Sequence, residues 1–219
     1  MTYATMIDEI CGPINYDPTN ATHIARALRW LNFACLKMAE LYDFPNLVSR
    51  NGSFVTIAGE AQDLTATVVS TNGFGTTFLR VLQNTMRIGS DPIPYKHKSW
   101  FDRVDPDRTY GGDAQAFSAV GNGLILLWPA PGAGTTVNVD WMARPTTITS
   151  ATTETGMPFD SEFHEVMVNG ARVRGMRYEG MPQWYQESII WEKELAKAYS
   201  NSHAMHIFYS HINARDFGT

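Results

Sequence analysis

The residues best equipped for chemistry lie in "PFDSEFHEVMVNGARVRGM", residues 158 to 176. His164 and Glu165 come close to H-E-x-x-H, the zinc-protease pattern in which two histidines one turn apart hold the metal and the glutamate activates its water. The spacing decides against it: a second ligand on the same helix face must stand at position 168, and that residue is Val168. No H-x-x-E-H occurs, and the other histidines are His23, His97, His203, His206 and His211. His203 and His206 lack a third ligand at a convincing spacing. What remains is a helix with a polar start, capped by Asp160 or Ser161, with Glu162 and Glu165 where the helix dipole favours acids. Phe163, Val166, Met167 and Ala171 form its buried stripe.

Other catalytic patterns are missing. The chain has no G-x-G-x-x-G, G-x-x-x-x-G-K-[ST] or G-x-S-x-G, so neither a phosphate cradle nor a nucleophile elbow is signalled. Asp105-Pro106-Asp107 with Thr109 starts like a calcium loop, but position six is Tyr110 where glycine is required and position twelve is Ala116 where an acid is required. Turn chemistry accounts for it. The expectation is no catalytic residue, no metal and no cofactor. A small hydrolase built on His164 and Glu165 is the remote rival.

The elements that position these residues fall into three parts. The chain has 219 residues, 44% hydrophobic and 18% charged, enough for a substantial core. Its N-terminus lacks a basic start with a long apolar run, and no span of about eighteen apolar residues appears, so we expect no membrane segment and a protein made in a cytosol. Cys11 and Cys35 read as small buried hydrophobes. A net charge of −5 without a basic run argues against a dedicated nucleic-acid binder. Residues 20 to 43 carry Ile24, Ala27, Leu28, Leu31, Ala34, Cys35, Met38 and Leu41 at helical spacing, capped by Thr19 or Asn20 and stopped at Phe44-Pro45. A shorter helix spans 3 to 11 and ends at Gly12-Pro13. From about 50 to 148 the pattern changes to short β-rich runs: SFVTI, LTATVV, TFLRVL, LILLW and TVNVDWMA, punctuated by turn residues such as Asn72-Gly73. The loop from Gly89 to Gly112 holds Trp100, Phe101 and Tyr110 and is a candidate interface. Helices return at 160 to 179 and 182 to 201. The fold class is α+β: a helical bundle from both chain ends (1–49 and 150–200), an inserted antiparallel β domain (50–149), and a C-terminal segment (201–219). Phe159, Phe163, Val166, Leu28 and Leu31 are the expected helix-packing residues, with Asn169, Gly170, Ala171 and Gly175 permitting close approach.

Several stretches, taken in order, resemble the head-to-tail adaptor (connector) proteins of tailed bacteriophages, especially short-tailed ones. They are Arg29-Trp30-Leu31-Asn32 through Phe44-Pro45; Leu126-Leu127-Trp128-Pro129-Ala130-Pro131; Val137-Asn138-Val139-Asp140-Trp141; Arg144-Pro145-Thr146-Thr147-Ile148-Thr149; and Pro158-Phe159 through Phe163-His164-Glu165 with Asn169-Gly170-Ala171. The β insertion departs from the small, purely helical adaptors. The resemblance implies a structural virion protein assembled in the bacterial host cytoplasm, a homo-oligomeric ring of twelve copies docked on the portal protein. Such a ring extends the DNA channel, which genomic DNA traverses without sequence-specific binding, and offers a platform for tail nozzle or fibre proteins. The segment 201–219, too apolar for a free tail, either folds back on its own helices or extends as a partner-docking arm with Phe208, Tyr209, Ile212 and Phe217 as anchors. The alternative function is a tail-associated β-sandwich module that binds a fibre or carbohydrate through Trp100, Phe101 and Tyr110.

Overall fold

The N-terminal helices start where short polar side chains satisfy backbone donors that have no intrahelical partner. The Thr2 hydroxyl accepts from Thr5 N–H at the head of α1 (Tyr3–Cys11). At Gly12-Pro13 a 3₁₀ turn takes over, and Asn15 closes it in a left-handed conformation. The Asn20 side chain accepts from the N–H groups of Thr22 (2.9 Å) and His23 (3.4 Å) and opens α2 (Ala21–Leu41). Of the apolar positions expected to be buried on α2, Ala27, Leu31, Ala34, Cys35 and Met38 are in the core; Leu41 is exposed, in the last turn beside the stop.

The computed structural model describes residues 1–64, 78–82, 85–121 and 123–216, with side chains for all of these except 51, 121 and 203–216. The chain is α+β and divides into two compact units: Met1–Tyr42 with Pro145–Thr219, and Asp43–Arg144. No helix among the described residues is long and apolar enough to cross a membrane.

The second unit is built from β1 (Val48–Val55), β2 (Ala61–Asp63), β3 (Phe78–Val81), β4 (Arg87–Ile88), β5 (Asp91–Pro92), α3 (Lys98–Val104), β6 (Ala116–Gly121), β7 (Leu124–Trp128) and β8 (Thr136–Ala143). All strand pairs are antiparallel. One sheet runs β1-β8-β4-β5, with β3 also on β8; the other runs β2-β7-β6. Alternating residues of both sheets, among them Phe54, Phe78, Phe117, Ile125, Leu127, Val137, Val139 and Trp141, share one core. Gly52 lies beyond a register shift in β1, where an added Cβ would stand 2.9 Å from the Trp141 ring.

Two expectations need correction here, and a third lies outside the described residues. The run LILLW and the run TVNVDWMA are strands, but AFSAVG, rich in small residues of low β-propensity, is a strand that the pattern did not signal. The Gly89–Gly112 stretch is not an open loop. It holds α3, whose seven residues are too few to show a period, capped by His97 Nδ1 accepting from Ser99 N–H. Before α3 the stretch pairs with β6, Lys96 N–H donating to Phe117 O (2.8 Å) and Phe117 N–H to Pro94 O (3.1 Å). The run LTATVV lies, from residue 65 on, outside the described residues, as does the Asn72-Gly73 turn.

In the first unit a 3₁₀ turn (Ser161–Phe163) leads into α4 (His164–Tyr178), so neither Asp160 nor Ser161 caps that helix, and no side-chain cap bond is made. Phe159 and Phe163 are both buried, their ring centroids 6.4 Å apart. Helix α5 (Trp184–Asp216) does not stop near 201: it runs for 33 residues, about 50 Å at 1.5 Å per residue.

Candidate functional site

His164 is buried by the turn that precedes α4. Its Nε2 lies 3.2 Å from Phe159 O and its Nδ1 3.4 Å from the Met1 ammonium, which also donates to Glu154 at 2.6 Å. Burial pushes the His164 imidazole below its usual range and the ammonium adds to this, outweighing the Phe159 carbonyl and nearby acids. A histidine held neutral in the fold makes stability fall as the pH drops through the ordinary histidine range, because the unfolded chain takes up the extra proton. Val168 is in the core and Glu165 faces solvent. Among the described residues no three His, Cys, Asp or Glu side chains are grouped to hold a metal ion.

The three arginines of α4 point to recognition rather than chemistry. Arg172 donates to Glu9 O (2.7 Å) and to Asn169 Oδ1 (3.0 Å), with the Glu9 carboxylate at 3.8 Å. Arg174 lies over Phe33, 4.2 Å from its ring centroid, and Arg177 over Trp184 at 5.0 Å. Two glycines set how closely the helices meet. A Cβ at Gly170 would stand 2.8 Å from the Trp191 ring, and one at Gly175 would stand 2.9 Å from the Trp30 ring. Trp191 Nε1 completes its contact by donating to Val166 O at 2.9 Å. Where α2, α4 and α5 converge, a groove of about 390 Å³ remains, lined by Phe33, Lys37, Arg174, Arg177, Trp184 and Trp191 with Glu40 and Glu192 at its sides. Phe33 is 42% exposed there. The sequence reading missed Phe33, Trp184 and Trp191; the usable signal was the pair of glycines on α4, which calls for large rings on the neighbours.

The β unit treats its aromatic residues differently. Phe101 is 0% exposed, packed with Ala116 and Leu126, so it cannot serve as a presented interface residue: α3 turns it onto the small sheet. Trp100 meets Phe101 and Trp128 edge-on at 5.4 and 5.2 Å. Tyr110, 61% exposed, touches Trp128 by its edge at 6.4 Å. Beside them Arg108 forms ion pairs with Glu60 (2.8 Å, outside hydrogen-bond geometry) and with Asp102. Burial pushes the Glu60 carboxyl up against the opposing pull of Arg108. Burial pushes Asp105 up as well, but the N–H groups of Thr109 and Tyr110, with Arg108 nearby, hold it below the usual carboxylate range. This is the turn that resembled a calcium loop.

Of the expected packing residues, Leu31, Phe159, Phe163 and Val166 are buried and Leu28 is half-buried. Phe208, Tyr209 and Ile212 fall on the last turns of α5, and Phe217 lies outside the described residues. A family model described as SU10 adaptor protein matches residues 1–206. No curated protein matches the chain.

Proposed function

The chain belongs to the SU10 adaptor protein family, and from that premise we propose that it is a structural component of the bacteriophage virion, a head-to-tail adaptor. The observation that carries the reading is the match itself, which spans both units and most of α5 rather than one segment. On this reading copies of the chain form a ring, of twelve by the resemblance, docked on the portal protein and meeting tail nozzle or fibre proteins below. DNA passes through without sequence readout. The formal charge of −5 per copy suits a channel along which a duplex slides without sticking. A ring whose channel is lined by Arg172, Arg174 and Arg177 would reject that reading.

The far part of α5 is the proposed docking arm. Tyr199 packs against Tyr42, just past the end of α2, the rings tilted with centroids 4.5 Å apart. The helix continues beyond it to Asp216, roughly 25 Å further at 1.5 Å per residue. It carries Phe208, Tyr209 and Ile212 toward a partner. The test removes residues 203–219 and measures co-sedimentation with the portal and thermal stability of the isolated chain. Lost portal binding with an unchanged melting temperature is the expected result. A large drop in melting temperature places the segment in the subunit's own core instead. Cryo-microscopy of the chain mixed with its portal tests the ring directly, and a chain that never joins the portal sinks the adaptor reading.

A further inference from the structure

We propose that the helical unit binds a second copy of the chain head to tail, the Arg174–Arg177 groove of one copy receiving the ridge of Glu187, Ile190 and Glu194 on α5 of the next. The inference rests on the ring-forming reading above and names the surfaces that would make it.

The groove is built to accept carboxylates around an apolar side chain. Arg174 and Arg177 are three residues apart on α4 and therefore neighbours on its surface. Each guanidinium lies over an aromatic ring, which occupies one face of the cation and leaves the N–H donors along its edge unused. Neither arginine has a carboxylate partner among the described residues. Lys37 is paired with Glu40 at 3.4 Å, so Glu192 is the one remaining acid set against two free forks. Between the cations the wall is the exposed edge of Phe33 with Trp184 and Trp191.

The ridge has the complementary chemistry. Glu187, Ile190 and Glu194 follow i, i+3, i+7 spacing on α5 and, on the other flank of the buried Trp191, form the exposed wall of a second hollow shared with Pro13, Arg172 and Met176; that wall is the ridge. All three are exposed, Ile190 at 48%. Glu194 accepts one bond from Asn169 Nδ2 at 3.0 Å, and Glu187 has no ion-pair partner among the described residues. Arg172, which lines the same hollow, is already held by Glu9. Two carboxylates flanking an isoleucine thus face, in the next copy, two guanidiniums flanking aromatic rings, the pairing in which bidentate arginine contacts are strongest. Because groove and ridge are different surfaces, the contact is heterologous and propagates from copy to copy, closing into a ring when the rotation allows.

Sedimentation velocity on the full-length chain tests this with two charge-reversal variants, R174E/R177E and E187R/E194R. Each alone should associate at least about tenfold more weakly than the unaltered chain, as expected when like charges replace a complementary pair. An equimolar mixture should recover association, because each variant supplies the surface that the other has lost. R174Q/R177Q, which keeps the stems on Phe33 and Trp184, should also weaken association, with an unchanged circular dichroism spectrum, separating loss of charge from loss of fold. Variants that assemble like the unaltered chain, or a mixture that fails to recover, overturn the proposal. So does an unaltered chain that stays a single copy at every concentration, which would leave the groove to an acidic segment of another protein. Portal co-sedimentation is run in parallel: portal binding with assembly indifferent to charge reversal rejects these surfaces and keeps the adaptor, whereas no portal binding by the unaltered chain rejects the adaptor itself.

Discussion

Two arginines of the β unit and two of the helical unit are placed in opposite ways. In the β unit, Arg80 pairs with Asp43, and Arg108 with Glu60 and Asp102, so these cations are ion-paired within the fold. In the helical unit, Arg174 and Arg177 lie over Phe33 and Trp184 and make no ion pair among the described residues. A guanidinium neutralised by a carboxylate contributes to its own unit and little to a partner, while one stacked on a ring keeps its donors for an incoming anion. The same contrast holds for the aromatic residues. Phe101 is sealed under α3, whereas Phe33 stands half open in a groove.

The largest effect should come from trading those two phenylalanines for alanine. Phe101→Ala should destabilise the chain by about 3–5 kcal/mol, the cost of emptying a well-packed aromatic site. Phe33→Ala should cost less than about 1.5 kcal/mol, since it forfeits only partial burial and a cation–π contact. Urea titration of both variants measures the difference, and equal losses would break the contrast. Gly170→Ala should come next. Helix propensity alone predicts a gain of about 1 kcal/mol, but the new methyl drives into the Trp191 ring, and the net expectation is a loss of about 1–3 kcal/mol. Gly12→Ala, whose added Cβ meets nothing within 4 Å, is the control and should be close to neutral in the same titration.

Arg108→Gln should show a pH dependence that Arg177→Gln lacks. Burial already raises the Glu60 carboxyl, so its contribution is fully present when it is protonated and is lost as the pH rises from the ordinary carboxylate range through the folded value. Without Arg108 that loss grows. We expect a deficit of about 1–2 kcal/mol at neutral pH that disappears near about pH 4, read from urea midpoints at the two values. A pH-independent deficit would mean that Arg108 acts only through its packing over Phe101, 5.7 Å from the ring centroid. The smallest effect is a null one. Burial pushes the Cys35 thiol up to about 12, and the Cys11 thiol is raised for the same reason, with nearby acids adding to it. Both should stay unlabelled by a thiol reagent until unfolding. Both cysteines lie in the helical unit, so the urea concentration at which labelling begins reports that unit alone.

Much of the fold was legible because local rules and the final structure agree. The apolar spacing of α2, its Asn20 cap, the breaks at Gly12-Pro13 and Phe44-Pro45, and the alternation in TVNVDWMA each depend on residues within one element, and each is found. What the sequence could not decide was which side chains from distant segments meet. It placed Trp100, Phe101 and Tyr110 together in a loop, yet α3 buries Phe101, because the outer face of β6 and β7 carries Ala116 and Leu126 and must be covered. It offered Gly170 and Gly175 as signs of close packing, but only the tertiary structure set Trp191 and Trp30 on them. The groove was out of reach for the same reason. Phe33, Arg174 and Trp184 come from three separate helices, and the stacking that leaves the two arginines available is a property of how those helices cross, which no single segment of the chain encodes.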